Sequence, residues 1–299
     1  MTKKTKAWLI VAITLILIGA ILFVGVMTVF GWNFRRLSTV EYVTKSYEIT
    51  ESFRNILIDT ETLDIEFLPS GNEKTIVECY ELKKTYHSVS VVDDTLTISL
   101  EDKAKNWFIG INFDTPKIIV YMPRGEYSDL TVKATTGDVR VVKDFSFKNV
   151  EVKVTTGDLA FEANVTDKIK FKGNTGDVKL KNVSAQQIDL SHTTGETYLT
   201  NVKCENLVSS GTTGDASLKN VIVKEKLSVE RSTGDITIDG CDAGELYLKA
   251  TTGDITGSLL TDKVFVAKST TGDIDVPQGT TGGKCEIKVT TGDIKIKIK

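Results

Sequence analysis

The sequence predicts an all-β protein, a parallel β-solenoid (β-helix) of 19–20-residue rungs, preceded by one N-terminal transmembrane helix. Three observations predict it. A Thr-Gly pair followed by an acidic residue recurs nine times at spacings of 19 or 20 residues. Apolar residues fall in the same columns of the repeats, and a long uncharged apolar stretch precedes all of them.

The apolar stretch covers residues 7–32 and contains no charged residue. About 20 apolar residues suffice to cross a bilayer. Trp8, Trp32 and Phe34 stand where interfacial aromatics belong, and two arginines follow. The alternatives are a cleaved signal peptide and a buried core helix. A signal peptide has a shorter apolar region and a small-residue cleavage site, which is absent before Trp32, so we expect a retained anchor.

The basic residues on the two sides of this stretch are nearly balanced, with a slight excess on the N-terminal side once the free amine is counted. Because positive charge stays on the cytoplasmic side, we expect the N-terminus inside and the rest of the chain outside the cell membrane. The expected organisation is a short cytoplasmic tail (1–6), a transmembrane helix (7–32), a linker (33–45), irregular β rungs that form a cap (46–129) and a regular repeat solenoid (130–299). A separate small β domain is the alternative to the cap.

The repeated turn is defined by its glycine. The nine structural-turn glycines are Gly137, Gly157, Gly176, Gly195, Gly214, Gly234, Gly253, Gly272 and Gly292. Apolar side chains predominate seven and five residues before the glycine and two residues after it, as in Leu130, Val132 and Val139. A spacing of two within each arm is strand periodicity. A unit with one apolar stripe per strand must stack on its neighbours to bury that stripe, so we expect two sheets packed face to face.

A second corner is expected six residues after the glycine, where Asn182, Asn201, Asn220 and Gly240 stand in register. Asn and Gly tolerate left-handed backbone. The chain ends in IKIKIK, which we interpret as the terminal strand of the rod, because lysines discourage the addition of another strand. Residues 61–64 form a degenerate turn in this interpretation, and residues 101–115 form a loop or hairpin with a contact surface.

The acidic residue after each glycine forms a column in which Glu196 is the one substitute for Asp. The aspartates are Asp138, Asp158, Asp177, Asp215, Asp235, Asp254, Asp273 and Asp293. Stacked carboxylates repel one another unless they have partners. Calcium is one possible partner, but calcium-binding β-rolls use a nine-residue repeat. Thr hydroxyls, backbone N–H groups and a column of lysines four residues before the glycine are the structural alternative, which we prefer.

Other chemistry is sparse. His87 and His192 are the two histidines, and no Ser/His/Asp set, zinc spacing or phosphate-binding loop occurs. Cys204, Cys241 and Cys285 fit buried free thiols, and Cys79 is isolated. A net charge of -3 argues against nucleic acid as a partner. Solenoids that cleave polysaccharides interrupt their repeats with long loops, whereas these repeats vary by one residue. We therefore expect no enzyme activity and no cofactor.

The repeated TTGD motif, its lead-in IIVYMPRGEYSDLTVKATTGDVRV and the apolar stretch resemble the bacterial putative-adhesin family of β-strand-repeat proteins, a domain of unknown function that includes LiaG-like envelope proteins. The resemblance covers residues 45–299 and implies a surface-exposed or envelope-associated protein. The expected function is a non-catalytic interaction or structural module of the cell envelope, whose partners are the membrane and an envelope protein or cell-wall glycan. An envelope-stress regulatory membrane protein and a glycan-degrading solenoid enzyme are the alternatives.

Overall fold

The structure is a computed structural model that describes residues 2–34, 41–83, 86–101 and 115–299. Its one long helix, α1, spans Lys3–Val29 and is capped by Thr2, whose hydroxyl accepts a hydrogen bond from the Thr5 amide (3.3 Å). The helix ends three residues earlier than predicted, because the Trp32 amide turns back to the Met27 carbonyl (2.8 Å). By length and composition α1 is able to cross a membrane, and the rest of the described chain covers none of its apolar window.

Twenty-four strands follow among the described residues. Before the regular repeats these are β1 (Tyr42–Ile49), β2 (Asn55–Asp59), β3 (Asp64–Pro69), β4 (Thr75–Leu82), β5 (His87–Val92), β6 (Thr95–Leu100) and β7 (Lys117–Met122). The repeats contain β8 (Gly125–Thr136), β9 (Val139–Val141), β10 (Phe145–Thr156), β11 (Leu159–Phe161), β12 (Asn164–Thr175), β13 (Val178–Lys181), β14 (Ser184–Thr194), β15 (Thr197–Thr200), β16 (Lys203–Thr213), β17 (Ala216–Lys219), β18 (Ile222–Thr233), β19 (Ile236–Thr252), β20 (Ile255–Leu259), β21 (Val264–Thr271), β22 (Ile274–Asp275), β23 (Lys284–Thr291) and β24 (Ile294–Ile298).

Each repeat gives one strand to each of two parallel sheets. The long strands that precede the glycines pair with one another in the long-strand sheet, and the short strands that follow them pair in the short-strand sheet. The predicted apolar columns lie between the sheets: Leu130, Val132, Ile188 and Leu207 are all fully buried. The prediction of a parallel β-solenoid is therefore confirmed.

In three successive repeats an Asn forms the corner between a short strand and the next long strand. Asn182, Asn201 and Asn220 have φ values of 56°, 54° and 53°, in the left-handed region. Their side chains form a ladder in which the Asn201 amide nitrogen donates to Asn182 Oδ1 (2.8 Å) and the Asn220 amide nitrogen donates to Asn201 Oδ1 (3.0 Å). Conformation and hydrogen bonding both favour Asn here.

Substitution of Asn201 separates these two contributions. Asn201→Gly keeps the left-handed backbone but removes both ladder hydrogen bonds, so we expect a loss of about 1–2 kcal/mol of unfolding free energy. Asn201→Ala also strains the backbone, and we expect it to lose about 1 kcal/mol more. Chemical denaturation of both variants measures this. An equal loss in the two variants would show that the φ value contributes nothing.

The N-terminal end of the stack is built out of sequence order. Strands β2 and β3 pair with β8 and β9, and then β6 and β7 stack outside them, followed by antiparallel β5, β4 and β1. Leu63 lies under Gly137 at the corner, so residues 61–64 occupy the place of a repeat turn. Residues 102–114 of the predicted contact loop and residues 35–40 of the predicted linker lie outside the described residues, and residues 42–45 of that linker belong to β1.

The C-terminal end corrects one prediction. The IKIKIK segment is not the terminal strand: β24 pairs with β20 on one side and with β22 on the other. Strand β23 likewise lies between β19 and β21. The last repeat in sequence is thus inserted between the two repeats before it, and the Gly272 repeat forms the outer end. All these repeats share the same columns, so the sequence pattern fits either order.

Candidate functional site

The Thr-Thr-Gly-Asp corner is a close contact between successive rungs. The turn glycines have φ values between 120° and 146°. A Cβ atom on Gly195 would lie 2.0 Å from the backbone oxygen of Gly176, and Gly176 has the same relation to Gly157. No other residue type fits this approach without moving the backbone. The glycine column is therefore a requirement of stacking.

The acidic column is a hydrogen-bond ladder. Oδ1 of every aspartate of the column except Asp273, the last of the stack, accepts the backbone N–H of the acidic residue in the next rung, as from Asp158 to Asp138 (2.8 Å) and from Asp177 to Asp158 (2.7 Å). Glu196 donates its N–H to Asp177 but, among the described residues, does not accept from the next rung. The end of the ladder follows the observed stacking order, since the Asp293 amide donates to Asp254 and the Asp273 amide donates to Asp293. Hydrogen bonds from backbone N–H groups to carboxylates provide the partners that the repulsion argument requires.

Calcium is expected to leave the melting temperature of the protein unchanged. Seven of the eight aspartates, all except Asp273 at the outer end, already accept a backbone N–H group, and the described residues contain no group of three or more His, Cys, Asp or Glu side chains placed to hold a metal ion. Thermal melts of the full chain in detergent, with calcium and then with a chelator, measure this. A rise of many degrees with calcium would instead establish the calcium ladder at Asp138, Asp158, Asp177, Asp215, Asp235, Asp254, Asp273 and Asp293.

A polar cluster interrupts the core near the middle of the repeats. Thr197 and Ser209 replace apolar residues of two inward columns, and both are fully buried. Arg231, which is 2% exposed, crosses the intervening rung above Gly211 and donates to Thr197 Oγ1 (2.8 Å) and Ser209 Oγ (3.1 Å). A Cβ atom on Gly211 would lie 3.1 Å from Arg231 Nε, so the absence of a side chain there gives the guanidinium its path.

His192 completes the cluster. Its Nε2 lies 2.8 Å from Thr197 Oγ1, and the ring is 4% exposed. Because the Thr197 oxygen accepts from Arg231, its hydroxyl proton is available to donate to His192 Nε2, which makes the neutral ring with the proton on Nδ1 the matching tautomer. Within the part of the chain that the structure describes, His192 Nδ1 and Arg231 Nε have no hydrogen-bond partner.

Burial governs the ionisation of both residues. Burial, followed by the charge of Arg231, lowers the pKa of His192 to about 4. Burial also lowers the pKa of the Arg231 guanidinium to about 10, against a smaller opposing effect of Asp215. His192 is therefore neutral and Arg231 charged at neutral pH.

A surface groove of about 360 Å³ lies over this cluster on the outer side of the long-strand sheet. The lysine column that runs along this sheet changes to Ser191, Ser210 and Glu230 at the groove, and Lys172 and Lys249 stand at its two ends. Further groove residues are Gly173, Asn174, His192, Thr193, Gly211, Thr212, Arg231, Ser232 and Thr251. The groove offers hydroxyl groups and a basic residue at each end, which suits a hydroxyl-rich ligand. We take the groove as the candidate functional site.

A second buried polar network holds the N-terminal cap together. His87 Nε2 lies 2.8 Å from Thr60 Oγ1, His87 Nδ1 lies 2.6 Å from Glu81 Oε2, and Lys45 Nζ lies 2.9 Å from Glu81 Oε1. Burial raises the pKa of Glu81, but hydrogen bonds from His87 and Lys45 outweigh it, so the pKa is below its ordinary value.

This network has the hydroxyl, imidazole and carboxylate order of a catalytic triad, which the sequence did not reveal because its members come from separate strands and loops. The exposure of Thr60, His87 and Glu81 is at most 5%, and Glu81 is also paired with a lysine. We interpret it as a joint between strands of the cap.

The four cysteines are free and buried. Burial raises the pKa values of the Cys79, Cys204 and Cys285 thiols to about 12, so thiolate is scarce at neutral pH. These thiols fill space in the core.

Comparison with known proteins identifies the family of this chain. The profile of the Toastrack DUF4097 family matches residues 53–210 and 200–299. The chain belongs to this family. No curated protein matches the chain significantly. Among solved structures of similar fold, a putative adhesin from Parabacteroides distasonis is 13% identical, covers 86% of this chain and 98% of its own, and superposes with a TM-score of 0.52.

Two further solved structures are similar over the same share of this Toastrack chain. A putative adhesin from Bacteroides fragilis is 21% identical, with 86% of this chain and 97% of that chain covered and a TM-score of 0.42. A putative adhesin from Parabacteroides merdae is 14% identical, with 86% and 96% covered and a TM-score of 0.48. At these identities the likeness concerns the fold.

The sequence predicted the residues of the repeated corner but not those of the groove. The structure brings the turn glycines and the acidic residues together along one edge, where they stack. The groove residues were missed, although the sequence carried a signal: Thr197 and Ser209 break apolar columns, and the lysine column is interrupted within the same repeats. Exceptions to the pattern that fall in adjacent repeats are neighbours in space.

Proposed function

We propose that the chain is a membrane-anchored, extracytoplasmic binding module of the bacterial cell envelope without catalytic activity, and that its groove binds a cell-wall glycan. The observation that carries the proposal is the groove itself, where Ser191 and Ser210 replace lysines between Lys172 and Lys249. Hydroxyl and amide side chains at regular rung spacing match the repeating hydroxyl groups of a polysaccharide. The apolar helix α1 and the adhesin descriptions of similar structures support the envelope location.

Anchoring by α1 is part of the same proposal. The helix is apolar along its full window and uncovered by the described chain, and three lysines lie in its first turn. We propose that residues 1–6 stay in the cytoplasm and that the solenoid lies outside. Protease treatment of intact cells tests this orientation: we expect cleavage of the solenoid, and full protection of it would contradict the proposal.

The binding test uses the full chain in detergent micelles and purified cell-wall polysaccharide in a sedimentation assay. Ser210→Tyr fills the groove with an uncharged side chain, and we expect it to weaken binding by at least about tenfold, which corresponds to about 1.4 kcal/mol. The matched control is Ser217→Tyr, which makes the same change on the outer side of the short-strand sheet.

Equal binding by the wild type and both variants would exclude the groove as the site. Release of reducing sugar from the polysaccharide, abolished by one carboxylate substitution, would instead establish the glycan-degrading alternative. Cross-linking of α1 to a membrane protein without any glycan binding would favour the envelope-stress alternative.

A further inference from the structure

The outer end of the solenoid, away from the cap, is an open rung. Strand β21 pairs with β23 and β22 pairs with β24, and neither has a second neighbour among the described residues. Ile274 shows the consequence. It belongs to the inward column two residues after the glycine, where Ile255 and Ile294 are fully buried, yet Ile274 is 45% exposed.

The hydrogen bonding at this end is also incomplete. In inner rungs the turn glycine donates its N–H to the threonine carbonyl of the next rung, as Gly253 does to Thr291 (3.0 Å) and Gly292 does to Thr271 (2.9 Å). Gly272 lies in the outermost rung of the stack, and no described strand stacks beyond that rung. The edge therefore presents backbone donors and acceptors ready for another strand.

The side chains of β21 protect this edge poorly. Val264 and Val266 are 40% and 49% exposed, and Lys268 is the one charged residue within the strand. The lysine-rich strand β24, which would suit an end position, is instead inside the stack. Natural sheets usually block exposed edges with charges, prolines or bulges. The β21 edge has one charge and no proline and is therefore open to pairing, whereas the short strand of the same rung carries Asp275 and is followed by Pro277.

We propose that two copies of the chain pair end to end through antiparallel β21 strands related by a two-fold axis. Two-fold contacts are the commonest between identical chains. With the axis at Ala267, Val266 of each copy faces Lys268 of the other, so the two lysines do not face each other and the lysine stem covers the valine. The two half-covered rungs, with Phe265 and Ile274, then close each other's core.

Head-to-tail stacking is the less favourable arrangement. It would need β1 and β5 at the opposite end, for which the described residues include no second neighbouring strand, and β1 begins shortly after α1 in the sequence. This reasoning, and the consequence drawn from it, rest on the proposed membrane anchoring. Two rods joined at their outer ends place their anchors at opposite ends of the pair, so the contact would join two membrane surfaces.

Sedimentation velocity of the full chain in detergent tests the pairing. We expect a dimer for the wild type and a monomer for Val266→Lys, because the new lysine faces Lys268 of the other copy. The double variant Val266→Lys/Lys268→Glu places opposite charges face to face, and we expect it to restore the dimer. The matched control is Val208→Lys, since Val208 holds the same outward position on an inner strand and is 45% exposed.

A monomeric wild type, or a dimer that survives Val266→Lys, would overturn the proposal, and the second result would assign the dimer to another surface such as α1. The same dissociation in Val208→Lys would also overturn it. Because these measurements contain no glycan, they succeed or fail independently of groove binding. Clustering of vesicles that carry the wild type, lost with Val266→Lys, would support contact between membranes; a dimer without clustering would overturn that consequence.

Discussion

Gly195→Ala is expected to lose about 4 kcal/mol or more of unfolding free energy. Gly195 has φ 140°, which L side chains rarely adopt, and its added Cβ would lie 2.0 Å from the Gly176 oxygen. The obstacle is backbone, which is itself fixed by the rungs on both sides. The clash is therefore relieved only by separating two rungs. Urea denaturation followed by circular dichroism measures the loss.

The matched control for this substitution is Gly125→Ala. Gly125 begins a long strand, its φ is outside the left-handed region, and no atom lies within 4 Å of an added Cβ. We expect a change of less than about 1 kcal/mol. Similar losses in the two variants would mean that the corner glycines do not make the close contacts described.

Acidification is expected to remove about 3 kcal/mol of stability through His192 alone. Its pKa is about 4 in the folded protein and about 6.5 in an unfolded chain. Above pH 6.5 the ring is neutral in both states and contributes no pH dependence. Between pH 6.5 and 4 the unfolded chain takes up the proton first, so stability falls as pH falls, and below pH 4 the loss is complete.

His192→Asn isolates this effect, because Asn donates and accepts hydrogen bonds but does not titrate. Unfolding free energies of the wild type and the variant are measured from pH 7 to 4. We expect the difference between them to change by about 3 kcal/mol across that range, with most other titrating groups contributing equally to both. Parallel curves would contradict the buried, neutral histidine.

The regular part of the fold could be predicted from the sequence, because each position of the repeat has one environment. The apolar columns, the glycine corner and the Asn corner follow from residue type and spacing, and Leu130, Gly195 and Asn201 occupy the expected places. The partners of the acidic column needed the structure, since Oδ1 of Asp138 finds the backbone N–H of Asp158 rather than a lysine.

The sequence pattern does not predict two features of the structure. Strand alternation places Arg231 on the inward side with Leu227 and Val229, but the path of its side chain across Gly211 depends on side-chain shape within the core. The order of the last rungs is the second feature. Because the columns of the final repeats are equivalent, both orders bury nearly the same side chains, and the pattern cannot distinguish them.

The stacking order of the last rungs is the claim on which the open end and its pairing depend, and disulfide trapping tests it directly. Thr252 and Thr291 are partners in adjacent strands, whereas Thr271 lies beyond Thr291. Neighbouring positions of this kind are within reach of a disulfide. We expect the cysteine pair of Thr252→Cys/Thr291→Cys to form a disulfide efficiently and the pair of Thr252→Cys/Thr271→Cys to form little disulfide. The reverse result would show that the repeats stack in sequence order and would contradict the account.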